Sequence, residues 1–522
     1  MNNVRIAATR TVALLAAVAS LTACKKSPGT TAPQPPRLTV LIVIDQLRGD
    51  EIDAYSTLWH YGMHTLRDMG RDYAKTFHTH GRLETAAGHA TLGTGELPRY
   101  NGVVDKSMYI PAQGKQVEVC HFGATPCDPN VLLVPTLGDR LKAAVPNARV
   151  VALAEKDRSA TLLGGKRADL VAWIAGDRIG LVGRTHGVPG LPGWLDEFFG
   201  RIAAGDRIAR LWELPRLPEP FASRPDSAPG ESDCGHGLTF PHRITTTDPA
   251  ALVHQWRCTP DSDRAITELA LYVARRMELG TDDTPDLLLV SLSAVDLIGH
   301  SYGYESLERV AVLTELDRQL GDLVEGLKQL VGPRLLVALS ADHGVAPKIP
   351  AARAAGHASG RVPDSELTAA VEKGLAGFGA GPHVADLAFP FLYLTEGPDK
   401  PARARAAVAA LKAHPAVYKA WTPDALAADP DPIAALMVGS YNPTRGGDVI
   451  IVHREYFQSG SSESGAQHES PWAYDRHVPG LLWGDGVTPG RVESPVAVID
   501  LIRTLSDRLG LPPDPHGGEP LP

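Results

Sequence analysis

The sequence predicts an α/β protein: a mostly parallel central sheet with helices on both faces, plus cap insertions over one edge. Three observations lead there. Short runs rich in Val, Ile and Leu recur at long intervals, at Leu38–Ile44, Leu287–Leu292 and Leu335–Leu339. Unbroken apolar runs of this length mark strands covered on both faces, as crossover helices require in parallel sheets. An acidic residue follows each run, namely Asp45, Asp296 and Asp342. Ligands of such sheets gather beyond the carboxyl ends of the strands, so these distant Asp residues are expected at one edge.

In chain order, the first element is an export signal. Met1–Arg10 holds two Arg and no acid, and the apolar run Thr11–Leu21 is too short to remain as a membrane span. Leu21-Thr22-Ala23-Cys24 resembles a bacterial lipoprotein lipobox, and a Ser/Thr/Pro/Gly stretch follows it. The expectation is a signal peptide over residues 1–23, a lipidated Cys24, a flexible tether over 24–37 and a catalytic domain over 38–522. This places the protein in the periplasm, anchored to a bacterial membrane. Four of the 5 Cys then remain, Cys120, Cys127, Cys234 and Cys258. In an oxidising compartment an even number reads as disulfides, and local closure favours Cys120–Cys127 with Cys234–Cys258.

Apolar spacing of the helical kind occurs at Leu137–Ala144, Asp263–Leu279, Tyr304–Leu330, Asp364–Gly374 and Pro401–Ala413. Between Val104 and Pro285 the chain is rich in Gly and Pro and shows little periodicity. That stretch, about residues 105–285, reads as a cap insertion. A second, at about 360–447, has its own helix–strand–helix pattern. A net charge of −9 with no long basic run excludes nucleic acid as a partner.

The residues that carry chemistry sit at the strand ends. Asp296 and His300 are four apart and share a face if a helical turn begins there. Asp342-His343-Gly344 follows the third run, and His477 precedes the apolar Gly480–Trp483. Groups of three Asp and His suit a borderline divalent ion such as zinc, and six such ligands suggest two ions. Thr85 opens Thr85-Ala86-Ala87-Gly88-His89-Ala90-Thr91. A Thr hydroxyl becomes a nucleophile only with a base or a metal beside it.

The order Asp45, Thr85, Asp296/His300, Asp342-His343 and His477 resembles the alkaline phosphatase superfamily. It is most similar to the type I phosphodiesterase/nucleotide pyrophosphatase branch and, within that branch, to phosphate-irrepressible alkaline phosphatases with a Thr nucleophile. The resemblance implies an alkaline-phosphatase-like fold and two zinc ions. One ion would be held by Asp296, His300 and His477, the other by Asp45, Asp342 and His343, with Thr85 bound to the latter. Monoester hydrolysis through a phosphothreonine would follow, with the amide after Thr85 helping to hold an oxygen. Lys156 and Arg158, read as two residues of an extended segment, would point the same way and grip a terminal phosphate. Related diesterases lack that pair. Where related monoesterases place an Asn about twenty residues after the nucleophile, this chain has Lys106, a candidate third contact. A monomer acting on small phosphorylated substrates is expected.

The alternatives are a phosphodiesterase of the same superfamily and, more distantly, a serine esterase using Ser301 in Gly299-His300-Ser301-Tyr302-Gly303. The esterase elbow needs a strand running straight into its first Gly. Here the apolar run ends at Leu292 and Asp296 intervenes.

Overall fold

The computed structural model describes residues 34–121, 127–187, 190–204 and 211–522. The signal segment and Cys24 lie outside them. Among the described residues no helix is long and apolar enough to cross a membrane.

Nine strands form the central sheet: β1 (Leu38–Ile44), β2 (Arg71–Tyr73), β3 (Val150–Ala154), β4 (Leu170–Ile174), β5 (Leu181–Thr185), β6 (Asp286–Leu292), β7 (Leu335–Ser340), β8 (Leu481–Gly484) and β9 (Gly490–Val492). Their order is β9-β2-β8-β7-β1-β6-β3-β4-β5. The five strands from β7 to β4 run parallel, while β8 and β5 join antiparallel on either side. Every residue of β1, β6 and β7 is buried. Side chains alternate between faces along a strand, so both faces of the sheet centre are covered.

Register places the strand ends together. Ile44 is level with Leu292, and Val43 with both Ser291 and Ser340. Asp45 continues the pairing by donating its N–H to the Leu292 carbonyl at 2.9 Å. Ala154 is level with Ser291, which brings the chain beyond β3 to the same edge.

The helices that serve this edge are α1 (Thr85–Thr94), α2 (Asp157–Gly164), α3 (Pro260–Arg276), α4 (Ala294–Tyr302) and α5 (Leu307–Val331). Helices α3 and α5 begin on side-chain caps: Thr259 accepts from the Asp261 amide and Ser306 from the Arg309 amide. Helix α1 packs against α2, and a Cβ on Gly93 would meet the Leu162 carbonyl at 2.2 Å, so only Gly allows that approach.

The expected cap over 105–285 needs correction. Three sheet strands, β3 to β5, lie inside it, together with Leu137–Ala144, α2 and α3. These five-residue strands are short and set among Gly and Pro, which hid them from a reading based on long apolar runs. The same stretch also holds the hairpin Ser107–Ile110/Lys115–Glu118, outside the central sheet. The second insertion carries helices Asp364–Leu375 and Lys400–Lys412 on an antiparallel sheet of Val384–Ala388, Phe391–Leu394, Val449–His453 and Val417–Trp421. It closes with Val449–His453, beyond the expected limit at 447, and has a core of its own around Leu367, Val371, Leu392, Leu411 and Ile451. The structure contains disulfides Cys120–Cys127 and Cys234–Cys258.

Candidate active site

Asp45 leaves β1, Asp296 lies in the first turn of α4 beyond β6, and Asp342 lies two residues beyond β7. All three are almost fully buried. Around them two groups of side chains bring their ligand atoms within 4.8 Å of one another: Asp45, Asp342 and His343, and Asp296, His343 and His468. His300 joins the second group, with Nε2 3.2 Å from Asp296 Oδ1 and its ring 5.0 Å from that of His468.

These donor sets fit divalent ions on three counts. Each His donates Nδ1–H to a main-chain carbonyl: His300 to Ala466 at 2.8 Å, His343 to Gly344 at 2.9 Å and His468 to Leu83 at 2.8 Å. A carbonyl only accepts, so Nδ1 holds the proton and Nε2 presents its lone pair, the tautomer a metal ligand needs. Next, Asp45 Oδ1 and Asp342 Oδ2 are buried without a hydrogen-bond partner. Finally, several buried carboxylates lie close together, an arrangement that demands compensating positive charge.

Thr85 is the first residue of α1 and is buried, with Oγ1 3.4 Å from His343 Nε2. The small residues that follow it have a packing reason. A Cβ on Gly88 would lie 2.2 Å from the Asp342 carbonyl, so the helix could not approach the ligand loop with any other residue there. His89, one turn beyond Thr85, directs Nδ1 at the Thr85 carbonyl (2.8 Å) and Nε2 at Ser291 Oγ (2.9 Å), and its Nδ1 lies 3.0 Å from Asp342 Oδ2 without bonding it. Burial pushes its imidazole down to about 4, so it is neutral and donates from Nδ1. The expectation for the amide after Thr85 is not met: Ala86 N–H donates to Glu84 Oε2 at 2.8 Å as part of the helix cap.

Lys156 and Arg158 are not on an extended segment. Lys156 is the N-cap residue of α2 and Arg158 is in its first turn, so the alternation that would point i and i+2 the same way along a strand does not apply to the pair. The Lys156 ammonium lies 2.5 Å from both Asp45 Oδ2 and Asp296 Oδ2, thereby touching both ligand groups. Burial opposes its charge, but Asp296 and Asp45 outweigh burial and hold its pKa above the usual value. Arg158 is more open, 29% exposed, and Glu84 is the strongest charge favouring it. Lys106 is exposed at the base of the hairpin.

His477 requires correction. Its Nε2 bonds the Ala74 carbonyl at 2.9 Å and its ring stacks on Phe77, in a small side sheet formed by His477–Val478, Thr76–Phe77 and Val496–Ala497. The structure brings His468, and not His477, to Asp296 and His300. Its ring stacks on His343 with centroids 3.5 Å apart. Ser301 is also no elbow nucleophile. It lies inside α4, with Oγ 3.2 Å from Cys234 Sγ.

Besides His468 and His89, sequence reasoning missed Gln46 and Ser293. Gln46 has a left-handed φ of 68°, unusual for a residue with a Cβ. Its amide donates to Asp342 Oδ1 at 3.2 Å and its Nε2 to Asp296 Oδ1 at 2.8 Å, so one residue ties the two groups together. Arg309 holds it in turn: its Nη2 donates to the Gln46 carbonyl at 2.8 Å and also, together with Nε, to the Glu51 carboxylate. Ser293 Oγ donates to Asp45 Oδ2 at 3.1 Å. The spacing Thr85/His89 at i, i+4 on a helix was a usable signal; the roles of Gln46 and Ser293 had none.

The family model of type I phosphodiesterase / nucleotide pyrophosphatase matches residues 39–477. Alkaline phosphatase PhoD of Zymomonas mobilis subsp. mobilis is 29% identical over 507 residues, covering 91% of this chain and 86% of that protein. Alkaline phosphatase PhoK of Sphingomonas sp is 29% identical over 527 residues, covering 92% of this chain and 89% of that protein. The crystal structure of wild-type alkaline phosphatase PafA superposes with a TM-score of 0.87 at 26% identity, over 94% of this chain and 99% of the other.

Proposed function

This chain belongs to the type I phosphodiesterase / nucleotide pyrophosphatase family, and from that premise we propose that it hydrolyses phosphate monoesters by way of Thr85. It is a phosphate monoester hydrolase of the alkaline phosphatase type, and it uses divalent metal. The finer assignments are ours. Asp45, Asp342 and His343 would hold one ion together with Thr85, and Asp296, His300 and His468 the other; the mixed Asp/His donor set favours zinc. Two such ions, when bound, supply Lewis acidity to the attacking and the leaving oxygen.

The chain's own residues do the rest. Thr85 gives up its hydroxyl proton to solvent, and its oxygen forms a bond to phosphorus as the bond to the leaving oxygen breaks. The leaving group departs as the alcohol or phenol after taking a proton from solvent. Water then attacks the phosphothreonine, releasing inorganic phosphate and restoring the hydroxyl. The positive end of α1 lies at Thr85, where negative charge develops. The positive end of α2 carries Lys156 and Arg158, which suit a phosphoryl group with several charged oxygens. Gln46 and Ser293 hold the carboxylates in place and His89 holds the Thr85 carbonyl, which keeps the site organised before substrate arrives.

The observation that carries this reading is the meeting of Thr85 with the two Asp/His groups at one buried strand edge. Purified, zinc-loaded protein should turn over an aryl phosphate monoester far faster than the matched diester. It should lose that activity in EDTA and regain it with zinc. A preference for the diester would move the protein to the diesterase reading, and indifference to EDTA would reject the metal assignment. Anchoring through a lipidated Cys24 in the periplasm and action as a monomer are part of the same proposal; the sequence of the first residues supports the anchoring.

A further inference from the structure

Two parts of the site, Thr85 on α1 and His468 on an irregular loop, share no secondary structure, and Lys106 lies on a third segment at the base of the hairpin. One side chain touches all three segments. Arg82, only 4% exposed, lies three residues before Thr85. Its Nε and Nη2 reach Asp105 Oδ2 at 3.0 and 2.9 Å, next to Lys106. Its Nη1 donates to Glu469 Oε2 at 2.8 Å, next to His468.

We propose that Arg82 is a positioning residue of the reaction, setting Thr85, His468 and Lys106 relative to one another. The inference rests on the function proposed above. A planar guanidinium offers donors on two edges at fixed angles, so two carboxylates bound to it are held at a fixed separation. Glu469 is held on both sides, since its Oε1 accepts the Ser459 amide at 2.9 Å. Its backbone has φ 120°, a conformation a residue with a Cβ keeps only when its surroundings impose it. The peptide next to Arg82 completes the bracket, because the Leu83 carbonyl receives His468 Nδ1.

The second insertion clamps this hub from the other side. Ser440 Oγ accepts both the Gly81 and Arg82 amides at 2.8 Å, and the Phe389 ring lies 5.6 Å from the guanidinium carbon. Ser440 ends the helix Pro432–Ser440, and Phe389 follows the strand Val384–Ala388. The insertion therefore bears on the nucleophile segment through Arg82. Misplacing reacting groups by about 1 Å costs roughly 10²-fold in rate, which gives this bracket its leverage.

The test uses the full-length zinc-loaded protein and the variants Arg82→Lys, Glu469→Gln and Asp105→Asn. Steady-state kinetics on an aryl phosphate monoester are read beside zinc affinities from titration against a competing chelator. Arg82→Lys should lower kcat by roughly 10²-fold although the charge is kept. Glu469→Gln should weaken one of the two zinc ions by roughly 10–100-fold and leave the other unchanged, the size of effect expected when a group behind a metal ligand is altered. Asp105→Asn should raise KM with both ions retained. The proposal is overturned if Arg82→Lys leaves kcat and both affinities unchanged, or if the two carboxylate variants share one profile. Should Arg82→Lys fail to fold, the separate effects of the two carboxylate variants decide. Absence of monoesterase activity in the unsubstituted protein would reject the function, while the zinc titration of Glu469→Gln would still decide the bracket.

Discussion

His468 donates its Nδ1 proton to the Leu83 carbonyl at 2.8 Å, joining residues 385 positions apart in the chain. The bond ties the nucleophile segment to a loop that sequence periodicity does not reveal, and it turns Nε2 toward Asp296 and His300. His468→Ala should therefore weaken one of the two bound ions by at least about 10²-fold, since losing only a group behind a ligand costs 10–100-fold. His477→Ala should keep both. Metal content after gel filtration, measured on the two variants side by side, checks this. Loss of an ion in His477→Ala alone would reverse the assignment.

Lys156 lies 2.5 Å from one carboxylate oxygen in each ligand group. Lys156→Ala should lower kcat/KM for an aryl phosphate monoester by roughly 10²–10³-fold, the cost of removing one well-placed charge-stabilising donor. The matched diester, with fewer anionic oxygens, should suffer much less. Arg158→Ala should follow the same pattern with a smaller loss, because its side chain is more solvated. Equal losses on both substrates would count against the phosphate-reading role.

His453 is buried and stacked on Phe389 with centroids 4.1 Å apart, and burial pushes its pKa down to about 4. An unfolded His titrates near ~6.5, so between those values the unfolded state binds the extra proton. This contribution to stability is complete above pH ~6.5 and is lost progressively as pH falls toward ~4, by on the order of 3 kcal/mol. Urea unfolding at pH 7 and pH 5 should show a smaller acid loss in His453→Phe than in the unsubstituted protein. Identical pH slopes would remove His453 from the account.

Cys24 is proposed as the anchor. The unsubstituted protein expressed with its leader should enter the detergent phase on Triton X-114 partitioning, and Cys24→Ser should enter the aqueous phase. The same phase for both would exclude lipid attachment at Cys24.

The fold was legible where burial was continuous. Strands β1, β6 and β7 are covered on both faces and therefore read as nearly continuous apolar runs, each ahead of an Asp. Strands β3 and β4 are equally buried but only five residues long, and Gly- and Pro-rich surroundings concealed them. Asp45, Asp296, His300, Asp342 and His343 were legible because short strand-to-helix connections leave little choice of place. His477 misled because it precedes an apolar run, yet its side chain turns into a separate small sheet. His468 was invisible because its position depends on Leu83 and Glu469, contacts that no local pattern encodes. Lys156 and Arg158 lie at the start of α2, which the sequence presented as extended chain.

The central claim is that the Thr85 oxygen attacks phosphorus in a site that binds two metal ions. The most direct measurement is monoester turnover and bound zinc in Thr85→Val, which keeps the shape and removes the hydroxyl. The predicted result is two zinc ions per chain, with kcat/KM lowered by at least about 10³-fold, because no other side chain replaces a lost nucleophile. Near-normal turnover with the zinc in place would contradict it.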